Sequence, residues 1–353
     1  MSVKRKRGLS LKERLEIDNQ LYYKYFLMDR VVPMIFGGII GDALGVPVEF
    51  KERDTFNVTE LIGHGTYDQP KGTWSDDTSL TMCLVENIIE DGDERSLLDK
   101  FVRYVEEGYW TPYGEVFDIG IATREAIERY KSGVPPHECG GSDEYDNGNG
   151  ALMRMSPLVP LLYENFEVAS KVEAIERICS VTHRHPRSTL ACIFYIQFLI
   201  MIINNNNKEQ SYEGAVNVCL NSLDKDKYES EYPYFKRILQ SNIYNYSRDQ
   251  IHSDGYVVHS LEAALWCFFK HDNYKDIVLE AVNLGGDTDT TASIAGTIAG
   301  LYYKEEGLPT DWLDEIVGID RIKEKLNEFC SQIIGRAYNL TADEIQQAKW
   351  LKW

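Results

Sequence analysis

The stretch Gly285-Gly286-Asp287-Thr288-Asp289-Thr290-Thr291-Ala292 decides how the rest of the chain is read. It places two carboxylates and two hydroxyls within four residues, at the mouth of a helix. Asp287 suits the N-cap, and Asp289 falls in the first turn, where the helix dipole favours an anion. The helix that follows, Ser293 to Tyr303, is made of Ala, Gly, Ile and Leu with almost no polar face, the pattern of a buried helix. Acids at the end of a buried helix are costly unless something neutralises them. A hard divalent cation with oxygen ligands would do so. A capped helix with spare, solvated Asp residues fits the same eight residues.

A second stretch repeats the design. In Gly72-Thr73-Trp74-Ser75-Asp76-Asp77-Thr78, a hydroxyl and two carboxylates lead into an apolar helix, Leu80 to Ile89. Ser75 is the expected cap, with Asp76 and Asp77 just inside it. If the two helix mouths face each other, they supply enough oxygen for two cations about 3.5–4 Å apart, the spacing of two-metal hydrolytic sites.

Composition narrows the function classes. The chain has 353 residues, 43% of them hydrophobic, enough for a large core. With 37 basic and 56 acidic residues the net charge is −19, which argues against a general nucleic-acid binder. The seven cysteines show no CxxC pairing and read as reduced thiols of a cytoplasmic protein. Met1 to Leu9 is basic but has no signal-peptide core. The longest apolar run, Leu190 to Ile203, contains Gln197 and is short for a bilayer, so it reads as a core helix and no membrane role is expected.

Residues 1–29 read as an extension preceding a domain of residues 30–353. The extension has a basic tip, Lys4-Arg5-Lys6-Arg7, and capping-box spacing at Ser10 and Glu13. Its aromatic stripe includes Leu21, Tyr22, Tyr25 and Phe26. Such a stripe can pack on the protein's own surface or serve as a partner-binding arm. Val31 to Phe50 follows, with Gly37, Gly38 and Gly41 making a small-residue face. Asp42 lies in apolar surroundings and Glu49 just past Pro47; either fits a structural role, a satisfied helix polar group or a loop acid. Period-3.6 patterns predict helices over Leu97 to Glu107, Ile119 to Lys131, Glu167 to Ser180, Leu190 to Ile203 and Gly255 to Lys270. Further helices are expected from Pro309 to Trp353, the last starting at the capping box Thr341 to Glu344. No strand-rich region stands out.

Two loops carry potential ligand groups. Asn147-Gly148-Asn149-Gly150 reads as a glycine turn opening a helix, where backbone N–H groups can approach an anion; an ordinary flexible turn fits too. Thr182-His183-Arg184-His185-Pro186-Arg187-Ser188 is dense in donors suited to a phosphate or ribose.

Taken in order, these pieces resemble the ADP-ribosylglycohydrolase family, which includes the dinitrogenase reductase-activating glycohydrolase. The matching segments are residues 37–50, 72–80, 117–127, 148–158, 182–188, 255–268 and 284–300, with coverage from about Arg30 to the last helix. The resemblance implies an all-α orthogonal helical bundle around a central binuclear metal site holding two divalent cations, Mg²⁺ or Mn²⁺. It implies Ser75, Asp76, Asp77, Asp287, Asp289 and Thr290 as ligands, with Ser75 standing where the family more often has Thr. It further implies Gly148, Asn149, Gly150 and Met153 as a diphosphate loop and His183 as a residue lining the ADP-ribose cleft. Glu49 matches an acid used by some branches, and Asp118 falls where arginine-directed branches place a catalytic Asp.

The implied activity is metal-dependent removal of ADP-ribose from a modified protein side chain, arginine first. A binding protein is the competing class: an ADP-ribose reader, or an immunity protein that holds an ADP-ribosyltransferase through residues 1–29. Retention of all six implied ligands favours the enzyme, and the two roles can coexist. A two-metal phosphohydrolase fits the carboxylates but not the full motif set.

Overall fold

The computed structural model describes residues 26–163, 167–204, 206–240 and 242–338. Among them no strand forms, and pairing is limited to three isolated bridges, such as Gly148 with Tyr256. The expected all-α architecture is thus what the chain adopts. Residues 1–25, which hold the basic tip and most of the aromatic stripe, lie outside the described residues, as does the capping box at Thr341.

Three helices organise the rest: α1 (Val32–Gly45), α2 (Asp76–Ile89) and α3 (Thr288–Gly307). All of α1 is buried. Its glycines lie directly against the backbone of α3. A Cβ at Gly37 would sit 2.2 Å from the Gly296 carbonyl oxygen, and one at Gly41 would sit 2.1 Å from that of Ala292. Real Cβ atoms do not approach so closely, so this contact requires glycine on α1. The Gly37 carbonyl accepts a hydrogen bond from the buried Tyr274 hydroxyl at 2.7 Å, which absorbs a polar group at the tight crossing.

α1 also fixes the start of α2. The Asp42 carboxylate accepts the Ser75 amide (2.9 and 3.1 Å), the Thr78 amide (3.0 Å) and the Thr78 hydroxyl (2.6 Å). Ser75 caps the same helix, accepting the Asp77 amide at 3.3 Å. The α2 mouth therefore has two caps, one local and one from α1. Burial raises the Asp42 pKa to about 6, with these hydrogen bonds pulling the other way. Asp42 is thus the satisfied helix polar group that the sequence allowed.

The five helices expected from period-3.6 patterns between residues 97 and 270 form, with ends moved by a few residues: Glu94–Glu107, Ile121–Lys131, Val168–Ser180, Pro186–Ile203 and Val257–Lys270. α3 starts at Thr288, so Asp287 takes the N-cap position and Asp289 the first turn as expected. Among the described residues two segments are long and apolar enough to cross a membrane, Leu27–Val48 and Pro186–Ile203, yet both are mostly buried inside the protein. Leu27 is fully buried, and Phe26 stacks on Tyr163 with ring centroids 5.0 Å apart. Residues 26–29, read as the end of the extension, pack with the domain in this way.

The candidate active site

The backbone around the acids is set before their side chains are. Gly285 and Gly286 both have φ of +73°, a conformation L side chains rarely adopt, and they turn the chain into α3. Arg53 braces this turn. Its guanidinium donates to the carbonyls of Leu284 (2.7 Å), Arg248 (2.7 Å) and Ile251 (2.6 Å). Gly286 pairs its backbone with residues 50 and 51 across the gap, accepting Phe50 N–H at 2.7 Å and donating to Lys51 O at 3.0 Å. This pairing carries Glu49, at the end of α1, next to the mouth of α3.

The two acidic helix mouths do face each other. The Thr290 hydroxyl on α3 donates to Asp77 Oδ2 on α2 at 2.9 Å. Carboxylate oxygens of Glu49, Asp118 and Asp289 lie within 4.8 Å of one another. Gly120 N–H donates to Asp76 Oδ2 at 3.2 Å, tying the Asp118 loop to α2. Asp287 occupies the N-cap position of α3 but does not cap it, contrary to expectation. Its Oδ2 instead accepts Asn149 Nδ2–H at 2.8 Å, and Asn149 also donates to Ser260 Oγ at 2.8 Å. The capping bond is given up because the carboxylate is turned toward the glycine loop.

These acids crowd one another in a dry place. Burial, then the charges of Asp118 and Asp287, pushes Glu49 up to about 8. Burial likewise raises Asp76, Asp77, Asp118, Asp287 and Asp289, with neighbouring carboxylates adding to it for most. Glu49 Oε2, Asp77 Oδ1 and Asp287 Oδ1 are buried and have no hydrogen-bond partner. Buried carboxylate oxygens left without donors suit a hard cation. The acids therefore fit a metal, and the reading of residues 285–292 as a capped helix with spare solvated Asp residues is wrong, since Asp287 and Asp289 are buried.

A cleft of about 590 Å³ opens onto the acids. Glu49, Asp76, Asp118, Asp287 and Thr290 line it, together with Gly148, Asn149, Gly150, Met153 and His183. Ser75, Asp77 and Asp289 sit behind this lining, each nearly fully buried. The glycine loop is followed by single 3-10 turns at Leu152–Arg154 and Ser156–Leu158, not by the expected α-helix. A single turn has little macrodipole, so the loop's contribution to anion binding rests on its bare backbone. In the second donor-rich loop, Arg187 is already taken: it pairs with Glu144 and Glu231, each at 2.7 Å, and its guanidinium lies 3.3 Å from the Tyr234 ring centroid. His185 caps the helix Pro186–Ile203. Of that cluster only His183 reaches the cleft.

Sequence reasoning missed Tyr67 and Thr123. Tyr67 packs its ring on Phe117, beside Asp118, with centroids 5.1 Å apart, and burial with the charges of Asp118 and Glu49 raises its pKa, keeping the hydroxyl protonated. The Thr123 hydroxyl lines the cleft, buried and without a partner. Neither residue belongs to a spacing pattern that marks chemistry.

Known proteins agree with this geometry. The ADP-ribosylglycohydrolase family model matches residues 24–343. The chain is 33% identical over 301 residues to the ADP-ribosylarginine hydrolase Tri1 of Serratia proteamaculans, covering 84% of this chain and 77% of that protein. It is 26% identical over 299 residues to the ADP-ribosyl-[dinitrogen reductase] glycohydrolase of Rhodospirillum rubrum, covering 82% and 90%. A solved structure titled ADP-ribosylglycohydrolase-related protein complex superposes with a TM-score of 0.72 at 28% identity, covering 89% of this chain and 98% of that one.

Proposed function

The chain belongs to the ADP-ribosylglycohydrolase family, and from that premise we propose that it removes ADP-ribose from modified arginine side chains of a target protein. The observation that carries the reading is the pair of facing helix mouths, with Asp77 and Thr290 in contact and three carboxylate oxygens buried without donors. The Tri1 relatives, named for ADP-ribosylarginine, support arginine as the linkage.

Two divalent cations, Mg²⁺ or Mn²⁺, are proposed to be held by Ser75, Asp76, Asp77, Asp287, Asp289 and Thr290, where they would offset the acids' charge and lower the pKa of a water. The protein's own residues do the rest. The backbone of Gly148, Asn149 and Gly150 takes the diphosphate, while Met153 and His183 complete that wall. Thr123 offers a further donor. The reacting bond joins the anomeric carbon of ribose to a guanidinium nitrogen. As that bond breaks, a water oxygen bonds to the carbon, and the departing nitrogen takes up a proton. Asp118 or Glu49 carries the proton. Phe50, Ile121 and Tyr145 are exposed at the cleft mouth, where the target chain would remain outside.

The test is incubation with Arg-linked and Ser-linked ADP-ribosylated peptides, with and without EDTA. Release of ADP-ribose from the Arg-linked peptide, abolished by EDTA and restored by Mg²⁺ or Mn²⁺, is expected. Release of phosphate instead would identify a phosphohydrolase and sink the reading.

We also propose that residues 1–25 form an arm that holds a cognate ADP-ribosyltransferase, so that the protein would act as an immunity protein too. The support is composition: a basic tip and Tyr-rich stripe give contact area at low entropic cost. Because Leu27 is buried, the deletion that tests the arm should stop at residue 25. Persisting hydrolysis with weakened transferase binding is expected; unchanged binding would end the idea. All seven cysteines are buried free thiols, which supports the cytoplasm as the compartment.

A further inference from the structure

Behind the cleft wall, the fully buried Arg154 reaches toward His183 through one hydroxyl. Arg154 Nη2 lies 2.7 Å from Thr182 Oγ1, and Thr182 Oγ1 lies 2.8 Å from His183 Nδ1. Arg154 is itself fixed by the carbonyls of Gly150 and Ile178. The backbone of His183 is fixed as well, its N–H donating to Cys179 O at 2.9 Å.

The direction of this chain is set by what each group can do. A guanidinium only donates, so Thr182 Oγ1 accepts from Arg154. The threonine hydroxyl has one hydrogen, and the structure gives it one remaining partner, His183 Nδ1. If Nδ1 carried a hydrogen, the hydroxyl would meet two donors and its own hydrogen would be buried with no acceptor, a loss of about 1–3 kcal/mol. Nδ1 therefore accepts, and the ring's hydrogen is on Nε2. Burial and the nearby guanidinium also push the His183 pKa down to about 3, which keeps the ring neutral.

The Nε2 edge faces the glycine loop. A Cβ at Gly148 would lie 3.5 Å from Nε2, and one at Gly150 would lie 3.1 Å from Cε1. The absence of side chains at both positions is what leaves this edge open to the cleft. We infer that Arg154 and Thr182 are positioning residues that lock His183 as the Nε2–H tautomer, presenting a fixed hydrogen-bond donor to an oxygen of the bound ligand. An Nε2 that carries hydrogen is closed to cations, so His183 stands outside the metal site. The ligand half of the inference rests on the functional reading above; the tautomer half does not.

The experiment uses the full chain with ¹⁵N-labelled histidine. A long-range ¹H–¹⁵N spectrum reads the tautomer, the His183 signal being assigned by its loss in His183→Gln. Calorimetry with ADP-ribose as the probe reads binding. The wild-type signal should show the neutral Nε2–H pattern from pH 5 to 8. Thr182→Val should give mixed tautomers and weaken ADP-ribose binding about tenfold, the weight of one hydrogen bond. Thr182→Ser should restore both. An Nδ1–H or doubly protonated pattern in the wild type overturns the relay, and so does unchanged affinity in a folded Thr182→Val. If Thr182→Val does not fold, the wild-type spectrum decides. Wild-type protein that binds no ADP-ribose overturns the functional reading, while the spectrum still settles the tautomer.

Discussion

Gly45 and Asp289 touch backbone to backbone: a Cβ at Gly45 would lie 2.3 Å from both the Cα and the N of Asp289. The Thr288 hydroxyl closes the same contact, donating to Gly45 O at 2.8 Å. The end of α1 is thus the seat on which the α3 acids rest, although Gly45 contributes no side chain to the site.

Gly45→Ala should therefore cost both stability and function. Overpacking of this kind costs about 1–3 kcal/mol, and here the clash is with backbone that has little room to yield. Urea unfolding should show the loss, and the rise in Tm on adding Mg²⁺ or Mn²⁺ should shrink because Asp289 is displaced. A variant with wild-type stability and an unchanged metal response would show that this contact does not place the acid.

The pH dependence of the metal-free protein follows from Glu49. Its folded pKa of about 8 stands above the ordinary value of 4.5, so the folded state binds this proton more tightly than the unfolded state does. Stability is then greatest below the unfolded value and is lost as pH rises through the folded one, by up to about 1.4 kcal/mol per pH unit for one proton. In EDTA, Tm should fall between pH 6.5 and 8.5, a range above the ordinary histidine pKa. Saturating Mg²⁺ should flatten or reverse the slope, since a cation favours the charged carboxylate. A Tm that rises with pH in EDTA would contradict the crowded, metal-free site described above.

Removing one acid separates stability from function. Asp289 is buried among carboxylates, with burial and the charges of Glu49, Asp287 and Asp77 raising its pKa. In the absence of metal, Asp289→Asn relieves that repulsion. The variant should unfold at a higher temperature than wild type in EDTA, yet show no hydrolysis and a much reduced metal-induced shift. Full activity in metal-free buffer would remove Asp289 from the site.

How much was legible in the sequence follows from which physics leaves a local trace. The two acidic helix mouths and the all-α class were readable because hydroxyl, carboxylate and apolar run occur in register along the chain. Glu49 and Asp42 were visible as acids in apolar company, but what they do depends on contacts with residues far away in sequence: Asp42 with Ser75 and Thr78, Glu49 with Asp118 and Asp287. The error at Asp287 has the same origin, since the local rule predicts a cap and a distant partner, Asn149, takes the carboxylate instead. Arg187 was read as a ligand donor because its acceptors, Glu144 and Glu231, carry no signal of their proximity. Tyr67 and Thr123 were unreadable, being single polar groups brought to the acids and to the cleft by loop and helix placement alone.

The remaining choice concerns which acid moves the proton. Asp118 and Glu49 share the cleft and lie within reach of each other and of Asp289, so proximity does not separate them. Their anchoring does. Asp118 is held on a loop whose backbone is fixed from both sides: its carbonyl accepts the Tyr104 hydroxyl at 2.6 Å, and Gly120 N–H binds Asp76. Glu49 follows the end of α1 and is the more deeply buried and more strongly raised of the two. With arginine as the linkage, Asp118→Asn should lower turnover of the Arg-linked substrate about 10²–10⁴-fold, the range for losing a general acid or base. ADP-ribose binding should persist, because Asp118 is not part of the Gly148 to Gly150 wall. Glu49→Gln should lower turnover less and remove most of the metal-free pH slope in stability. Efficient turnover of Ser-linked substrate alone, unaffected by Asp118→Asn, would assign the proton transfer to Glu49 and the protein to the other linkage.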